Sequence, residues 1–521
     1  MKALKKVKKS LHAILPPNNL KATARVVPGP ELTVSMLHAA VQDDVHDTKM
    51  LSRCGRDQSQ APIHVLPAEV LADIFMEVCV KAVQPLEYSF FECSEVCVHW
   101  RQIALGMPLL WSKVNFCSPT WVQTCLRRSK SSPLIVECHL SHFIISRRQM
   151  TIHQRIAAVL EFAPERIKEV FLYGHFPHES LTRALRGRFP VLAKMSITQI
   201  INEAYSTPTG SEREPLYPSL QFLELDSPLS LLYHTGPRLR NLILDCYLEN
   251  ALFYALSATT QLETLIISRL SNPYSQDELL LVAQPIILPH LRYLAIRASH
   301  PAVNPVAAEL LPLLTLPKLV RCSIEYWDPP DSIGSRLDIV LRSHFSAPAA
   351  GTHLRFHGER FASGPGLGGK NVDISFRFPS QDTDNSLNDR EVIFAWHASE
   401  YPLALTAFSS ILPSHHGDDN IANGNSKRTL NRVWRSVGTM YLDSWTPSSE
   451  GETRVWMNIL SSLPALHSIK LRRQTQEGVD RWRELVTSIP GGDGVALDTT
   501  TSEAATEWEG FKEISGMKAM W

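Results

Sequence analysis

A short motif, apolar-x-x-apolar-x-apolar, recurs along the middle of the chain. Its copies are Ile167/Val170/Leu172, Leu192/Met195/Ile197, Leu220/Leu223/Leu225, Leu239/Leu242/Leu244, Leu262/Leu265/Ile267, Leu291/Leu294/Ile296 and Leu319/Cys322/Ile324. The last two apolar positions alternate with a variable one, the period of a short strand with one buried face. One such strand has nothing to bury against. Consecutive copies must therefore stack side by side, each returning to the next through a helix or loop, so that neighbours supply the interior that a single unit lacks.

Successive starts differ by 25, 28, 19, 23, 29 and 28 residues, within or close to the roughly 20 to 29 of leucine-rich repeats. Residues 251–257 and 277–282 have a helical rhythm, and Pro218, Pro237, Pro289 and Pro317 each stand just before a strand pattern, where proline ends the preceding element. Val437/Met440/Leu442 and Leu466/Ile469/Leu471 are weaker copies. Eight positions after the first leucine, where such repeats carry Asn or Cys, stand Pro228, Tyr247, Leu270, Ser299 and Trp327. A regular Asn ladder is therefore not expected.

Upstream, Pro67 and Glu69 precede Val70, Leu71, Ile74, Phe75 and Val78 at helical spacing. A second helical stretch runs through Phe90, Phe91, Val96, Trp100, Ile103 and Ala104, ends near Gly106 and Pro108, and leaves Leu110 and Trp111 beyond. Trp121 to Arg128 and Ile152 to Phe162 also read as helices, with Leu134 to Leu140 a strand. Downstream, Val372/Ile374/Phe376/Phe378 and Val392/Phe394/Trp396 alternate among Gly, Ser, Asp and Asn clusters.

The expected fold class is α/β (α+β overall): a small N-terminal helical unit followed by an irregular leucine-rich-repeat-like α/β solenoid. Its parts are a flexible basic lead-in over 1–60, the helical unit over 61–116 and the solenoid over 117–350. A β-rich insertion with a flexible loop near 409–429 fills 351–430, terminal repeat-like units 431–489 and a flexible tail 490–521.

The charges balance, with 52 Lys plus Arg against 52 Asp plus Glu, so no global field draws the chain to nucleic acid. Residues 1–30 carry Lys2, Lys5, Lys6, Lys8, Lys9, Lys21 and Arg25 with no acid, which suits either an import signal or a solvated terminus. Pro16, Pro17, Pro28 and Pro30 break any long amphipathic helix there and favour the second reading. The greasy run from Leu279 to Leu294 is interrupted by Gln284, Pro285, Pro289 and Arg292, so no membrane span is expected. Nine irregularly spaced cysteines fit reduced thiols in cytoplasm, nucleus or both.

Motifs for chemistry are incomplete. Gly364 to Lys370 fits the start of a phosphate-cradling loop, but Asn371 stands where Ser or Thr should hold magnesium, and a strand pattern follows where a helix should. Cys138, His139 and His142, and Cys93, Cys97 and His99, lack a second ligand pair at zinc spacing. His415 and His416 read as solvated loop residues. No Gly-x-Ser-x-Gly, His-Glu-x-x-His or Cys-x-x-Cys is present. The chain is read as non-enzymatic, with no catalytic, cofactor or metal residues assigned.

The N-terminal unit resembles the F-box family. The resemblance is carried by Leu66-Pro67-Ala68-Glu69-Val70-Leu71 with Ile74-Phe75, then Val96-Cys97 with Trp100-Arg101, then Leu110-Trp111. It is similar in particular to the F-box proteins of mushroom-forming fungi, through Val96 to Ser112 followed by Trp121, Arg128-Ser129 and Pro133-Leu134. Phe75 and Val96 stand further apart than in the commonest F-boxes, with Pro85 between them.

The resemblance implies docking on a Skp-type linker protein, and through it on a cullin, by Leu66, Pro67, Val70, Leu71, Ile74, Phe75, Val96, Cys97, Trp100, Ile103 and Trp111. The same residues are also the candidates for the unit's own core, because so small a unit has little interior. The implied function is a substrate-recognition adaptor of an SCF-type ubiquitin ligase. Candidate target contacts beside the strand patterns are Glu224, Asp226, Tyr293, Arg297, Glu325, Tyr326 and Trp327. The alternatives are a non-ligase leucine-rich scaffold and, remotely, an enzyme without a local motif.

Overall fold

The computed structural model describes residues 66–80, 97–116, 118–139, 147–174, 179–198, 216–226, 235–245, 250–268, 286–297, 310, 313–326, 352–360, 370–378, 390–398, 436–443, 449–472, 475–489 and 492–499. Outside them lie the basic lead-in, Cys93, Val96, His142, residues 277–282, Trp327 and the loop near 409–429.

Helix α1 (Ala68–Val80) starts directly after Pro67, whose carbonyl accepts from the Leu71 N–H at 3.1 Å. Helix α2 (Val98–Gly106) is opened by Cys97, extended in backbone, whose Sγ accepts from the Trp100 N–H at 3.5 Å. The 3-10 turn Pro108–Trp111 leads straight into strand β1 (Lys113–Val114), and helix α3 (Pro119–Arg128) follows, capped by the Ser118 hydroxyl with Pro119 in its first turn. Strand β2 (Leu134–His139) pairs with β1 in parallel. The boundary expected between 116 and 117 thus falls inside a continuous structure, because Lys113 and Val114 already belong to the sheet.

The chain continues through α4 (Arg147–Phe162), β3 (Ile167–Tyr173), α5 (Glu179–Leu185), β4 (Lys194–Thr198), β5 (Phe222–Leu225), β6 (Asn241–Asp245), α6 (Asn250–Ala258) and β7 (Thr264–Ser268). After β8 (Ile286–Ile287) come β9 (Tyr293–Arg297), β10 (Leu314–Thr315) and β11 (Arg321–Tyr326). From β1 to β11 the strands join one parallel ladder in chain order, except that β8 and β10 leave it and pair with each other. The protein is mixed α/β with a mostly parallel sheet.

All seven predicted motifs fall on this ladder, and every one of their 21 apolar positions is buried, none more than 1% exposed. Neighbouring rungs are in register, for example Leu223 with Leu242 and Leu242 with Leu265, so the side chains stack in rows through the sheet. Full burial of one such side chain contributes about 1.5–3 kcal/mol, which makes the rows the chief stabiliser of the ladder.

The entry to each rung also repeats. The carbonyls of Phe189, Tyr217, Gly236, Thr259, Leu288 and Leu316 each accept from the N–H three residues on, that of Leu192, Leu220, Leu239, Leu262, Leu291 and Leu319, at 3.2–3.4 Å. Proline holds the second turn position in all but the Thr259 turn, where its fixed φ suits the bend. Gly236 sits where consecutive turns touch: a Cβ there would lie 3.0 Å from the Pro218 Cα.

Strands β12 (Thr352–Arg360), β13 (Lys370–Phe378) and β14 (Arg390–Ala398) lie within the span read from sequence as a β-rich insertion. They form an antiparallel meander built into the same sheet in reverse order, with β14 parallel to β11 and β12 parallel to β15 (Val437–Asp443). A three-strand meander reverses twice, so its outer strands run the same way and each continues the parallel ladder on its side. Arg360 pairs with Lys370, so residues 361–369 connect a hairpin, and the strand starting at Lys370 leaves no helix to aim at a phosphate.

The ladder then runs through α7 (Glu450–Ser461), β16 (Ser468–Arg472), α8 (Gln476–Thr487) and β17 (Ala496–Asp498). Ser449 and Thr475 cap these helices, and the rings of Trp456 and Trp482 meet edge-on at 5.0 Å. Residues 490–521 were expected to fray, yet β17 within that span pairs with β16.

Candidate functional site

Two places carry the candidate residues. In the N-terminal unit, Leu71, Phe75, Trp100 and Trp111 are turned inward, none more than 2% exposed. Phe75 and Trp100 meet edge-on at 5.2 Å. The Trp111 indole donates to the Ala104 carbonyl at 3.0 Å, and Arg128 lies 4.5 Å over its ring. With Ala104 and Leu110 these four form the unit's own core.

The other described contacts are only partly enclosed, with Leu66, Ile74, Cys97 and Ile103 packed against that core. Pro67 is exposed, Val70 is 41% exposed, and Leu66, Ile74, Cys97 and Ile103 are half-buried. Val70 and Ile74 follow one another at i and i+4 and so share a face of α1, with exposed Pro67 just ahead of the helix. Exposed Leu109 adds to the apolar surface of the unit. Sequence alone could not divide the ten described positions, since the enclosed and the more exposed residues here are equally apolar and differ only in which side of their element they occupy.

The second place is the face of the ladder opposite the leucine rows. Glu137 accepts from Lys113 at 2.7 Å and lies 3.3 Å from the His139 ring, which stacks on Tyr173 at 4.5 Å. Tyr173 hydrogen-bonds with Ser196, and the Ser196 hydroxyl donates to Glu224 at 2.5 Å. Burial pushes the Glu224 carboxyl above its usual range, partly offset by the Ser196 hydrogen bond. Burial likewise raises the Tyr173 phenol, with the Glu224 and Glu137 charges adding to it. Of this network the sequence singled out Glu224 as a target contact and His139 only as a weak metal candidate. The signal for the rest was the register itself, since the variable motif positions of adjacent rungs meet on one face.

Among the other target candidates, Tyr293 lies beneath Arg321, whose guanidinium is 5.8 Å from its ring. Arg297 pairs in register with Glu325, and Tyr326 with Trp396. The Asp226 N–H donates to Ile197 just past β5.

Burial raises the thiol of Cys125 to about 11 and that of Cys322 to about 12, so neither is an activated nucleophile. Cys138 is buried while its neighbour His139 is exposed, as alternation along a strand requires. Among the described residues no group of His, Cys, Asp and Glu is placed to hold a metal ion, and no helix is long and apolar enough to cross a membrane. No protein-family model matches the chain. No curated protein matches it either.

Proposed function

We propose that the chain is a non-enzymatic adaptor whose N-terminal F-box-like unit docks a Skp-type linker, and through it a cullin, while the leucine-rich solenoid formed by the ladder holds a target protein for ubiquitination. The observation that carries this reading is the division of the N-terminal unit. Leu71, Phe75, Trp100 and Trp111 close its interior, leaving Leu66, Pro67, Val70, Ile74 and Ile103 as an apolar surface that water alone would not favour. In this reading Cys97 acts through its cap on α2, fixing the helix that presents Ile103.

The reaction takes place on the partners, and the chain supplies proximity. The docking unit joins the ladder without a linker: Ser112 accepts from the Ile135 N–H at 2.9 Å, and Arg155 donates to the Phe116 carbonyl at 2.9 Å. A target on the ladder is thereby held at a set position relative to the scaffold. Co-expression of the full chain with the host's linker and cullin tests the reading. The three proteins should co-purify as one complex, and a chain that purifies without the linker overturns the adaptor.

A further inference from the structure

The turns that open β6, β7, β9 and β11 form a row along one edge of the ladder. Arg238 and Arg240 flank the turn leucine of β6, His290 and Arg292 flank that of β9, and Lys318 precedes that of β11. The two lysine and arginine pairs of this row, Arg238 with Arg240 and Arg292 with Lys318, are all exposed, and His290 is half-buried. The one acid in these turns is Glu263, 3.2 Å from Arg240. Four permanent cations against one carboxylate leave the row net positive in a chain that is neutral as a whole.

Backbone hydrogen bonds tie the row together. The Glu263 N–H donates to Arg240 at 2.8 Å, that of Arg292 to Glu263 at 2.8 Å and that of Val320 to Arg292 at 2.9 Å. Successive residues therefore stand about 4.8 Å apart. Beside the row is Ile287, 60% exposed and one residue ahead of the β9 turn. Its strand, β8, pairs with β10, which leads into the β11 turn, and the Leu288 N–H donates to Thr315 at 3.0 Å. Ile287 thus adds one exposed apolar side chain just ahead of the turn that carries His290 and Arg292.

We propose that this row binds an extended acidic segment of a partner protein, with an apolar residue of the segment on Ile287 and its carboxylates on Arg238, Arg292 and Lys318. Arginine forks match carboxylates bidentately. The one ring among the described residues of these turns is His290, which is half-buried, so the row offers no exposed aromatic face for bases to stack on, which disfavours an oligonucleotide. Three steps of about 4.8 Å cross roughly 14 Å, the reach of about four to five extended residues. The inference rests on the row alone and holds whether or not α1 and α2 bind a linker.

The probe is a fluorescein-labelled peptide of glutamates around one leucine, titrated into the full chain and followed by anisotropy. Wild type binds it, more weakly as salt shortens the range of the charges. The R292E/K318E variant should weaken binding at least about tenfold, and Ile287→Ser about threefold or more. All three residues are exposed, so these variants should melt like wild type and bind the linker as wild type does. A glutamine-substituted peptide that binds equally well, or full affinity in R292E/K318E, overturns the proposal. Tighter binding of a mixed-sequence single-stranded oligonucleotide, or self-association that R292E/K318E abolishes, does the same.

Discussion

Val70 and Leu71 are neighbours on α1 with opposite surroundings, and this yields a sharp test of the docking face. Val70 is 41% exposed, whereas Leu71 is 0% exposed. In the free chain a glutamate at 70 can keep its carboxylate in water, so Val70→Glu should cost stability only about 0.5–1 kcal/mol. On docking, the same carboxylate would be covered by an apolar surface with no partner, at a cost of about 3 kcal/mol. At about 1.4 kcal/mol per decade this weakens linker binding about a hundredfold. Leu71→Ala does the reverse: it opens a cavity costing about 2–5 kcal/mol of folding stability while leaving the outward surface in place. Thermal unfolding and calorimetric titration with the host's Skp-type linker separate the two. If Val70→Glu binds like wild type, or loses as much thermal stability as Leu71→Ala, the assignment of inner and outer faces is wrong.

Leu242 lies in register between Leu223 and Leu265 with no exposure, so Leu242→Ala should cost about 2–5 kcal/mol in urea unfolding; a loss under about 1 kcal/mol would contradict the stacked rows. Because burial raises the Glu224 pKa, the fold disfavours its charged form. Glu224→Gln should therefore raise Tm at pH 7, with the gain vanishing near pH 4 where the native carboxyl is protonated. An equal effect at both pH values would contradict this. The raised thiols of Cys125, at about 11, and Cys322, at about 12, keep protons that an unfolded thiol near 8.5 releases. The stability they contribute is full below about pH 8.5 and is lost as the pH climbs through about 11 and 12. Both thiols should resist labelling at pH 8 until denaturant is added, and fast labelling of the native chain would refute their burial.

The ladder was legible because its rule is local: three apolar positions at fixed spacing oblige a buried strand, and all seven predicted strands formed. Two other features needed the sheet as a whole. The alternation in Val372 to Phe378 announces a strand but not whose edge it joins, so the place of the meander in the sheet between β11 and β15 was not legible. Ala496–Asp498 lies among Gly, Thr and Asp and carries little pattern of its own; it is held by the edge that β16 offers. The Tyr173, Ser196 and Glu224 network was hidden for a related reason. Its members are more than twenty residues apart in sequence and become neighbours only through register.

The central claim is that the outer face of the N-terminal unit docks a linker protein, and hydrogen-deuterium exchange of the full chain with and without that linker tests it most directly. The account predicts slower amide exchange confined to α1, α2 and the Pro108–Trp111 turn. Unchanged exchange there, or protection appearing on the ladder from β5 to β11 instead, would contradict it.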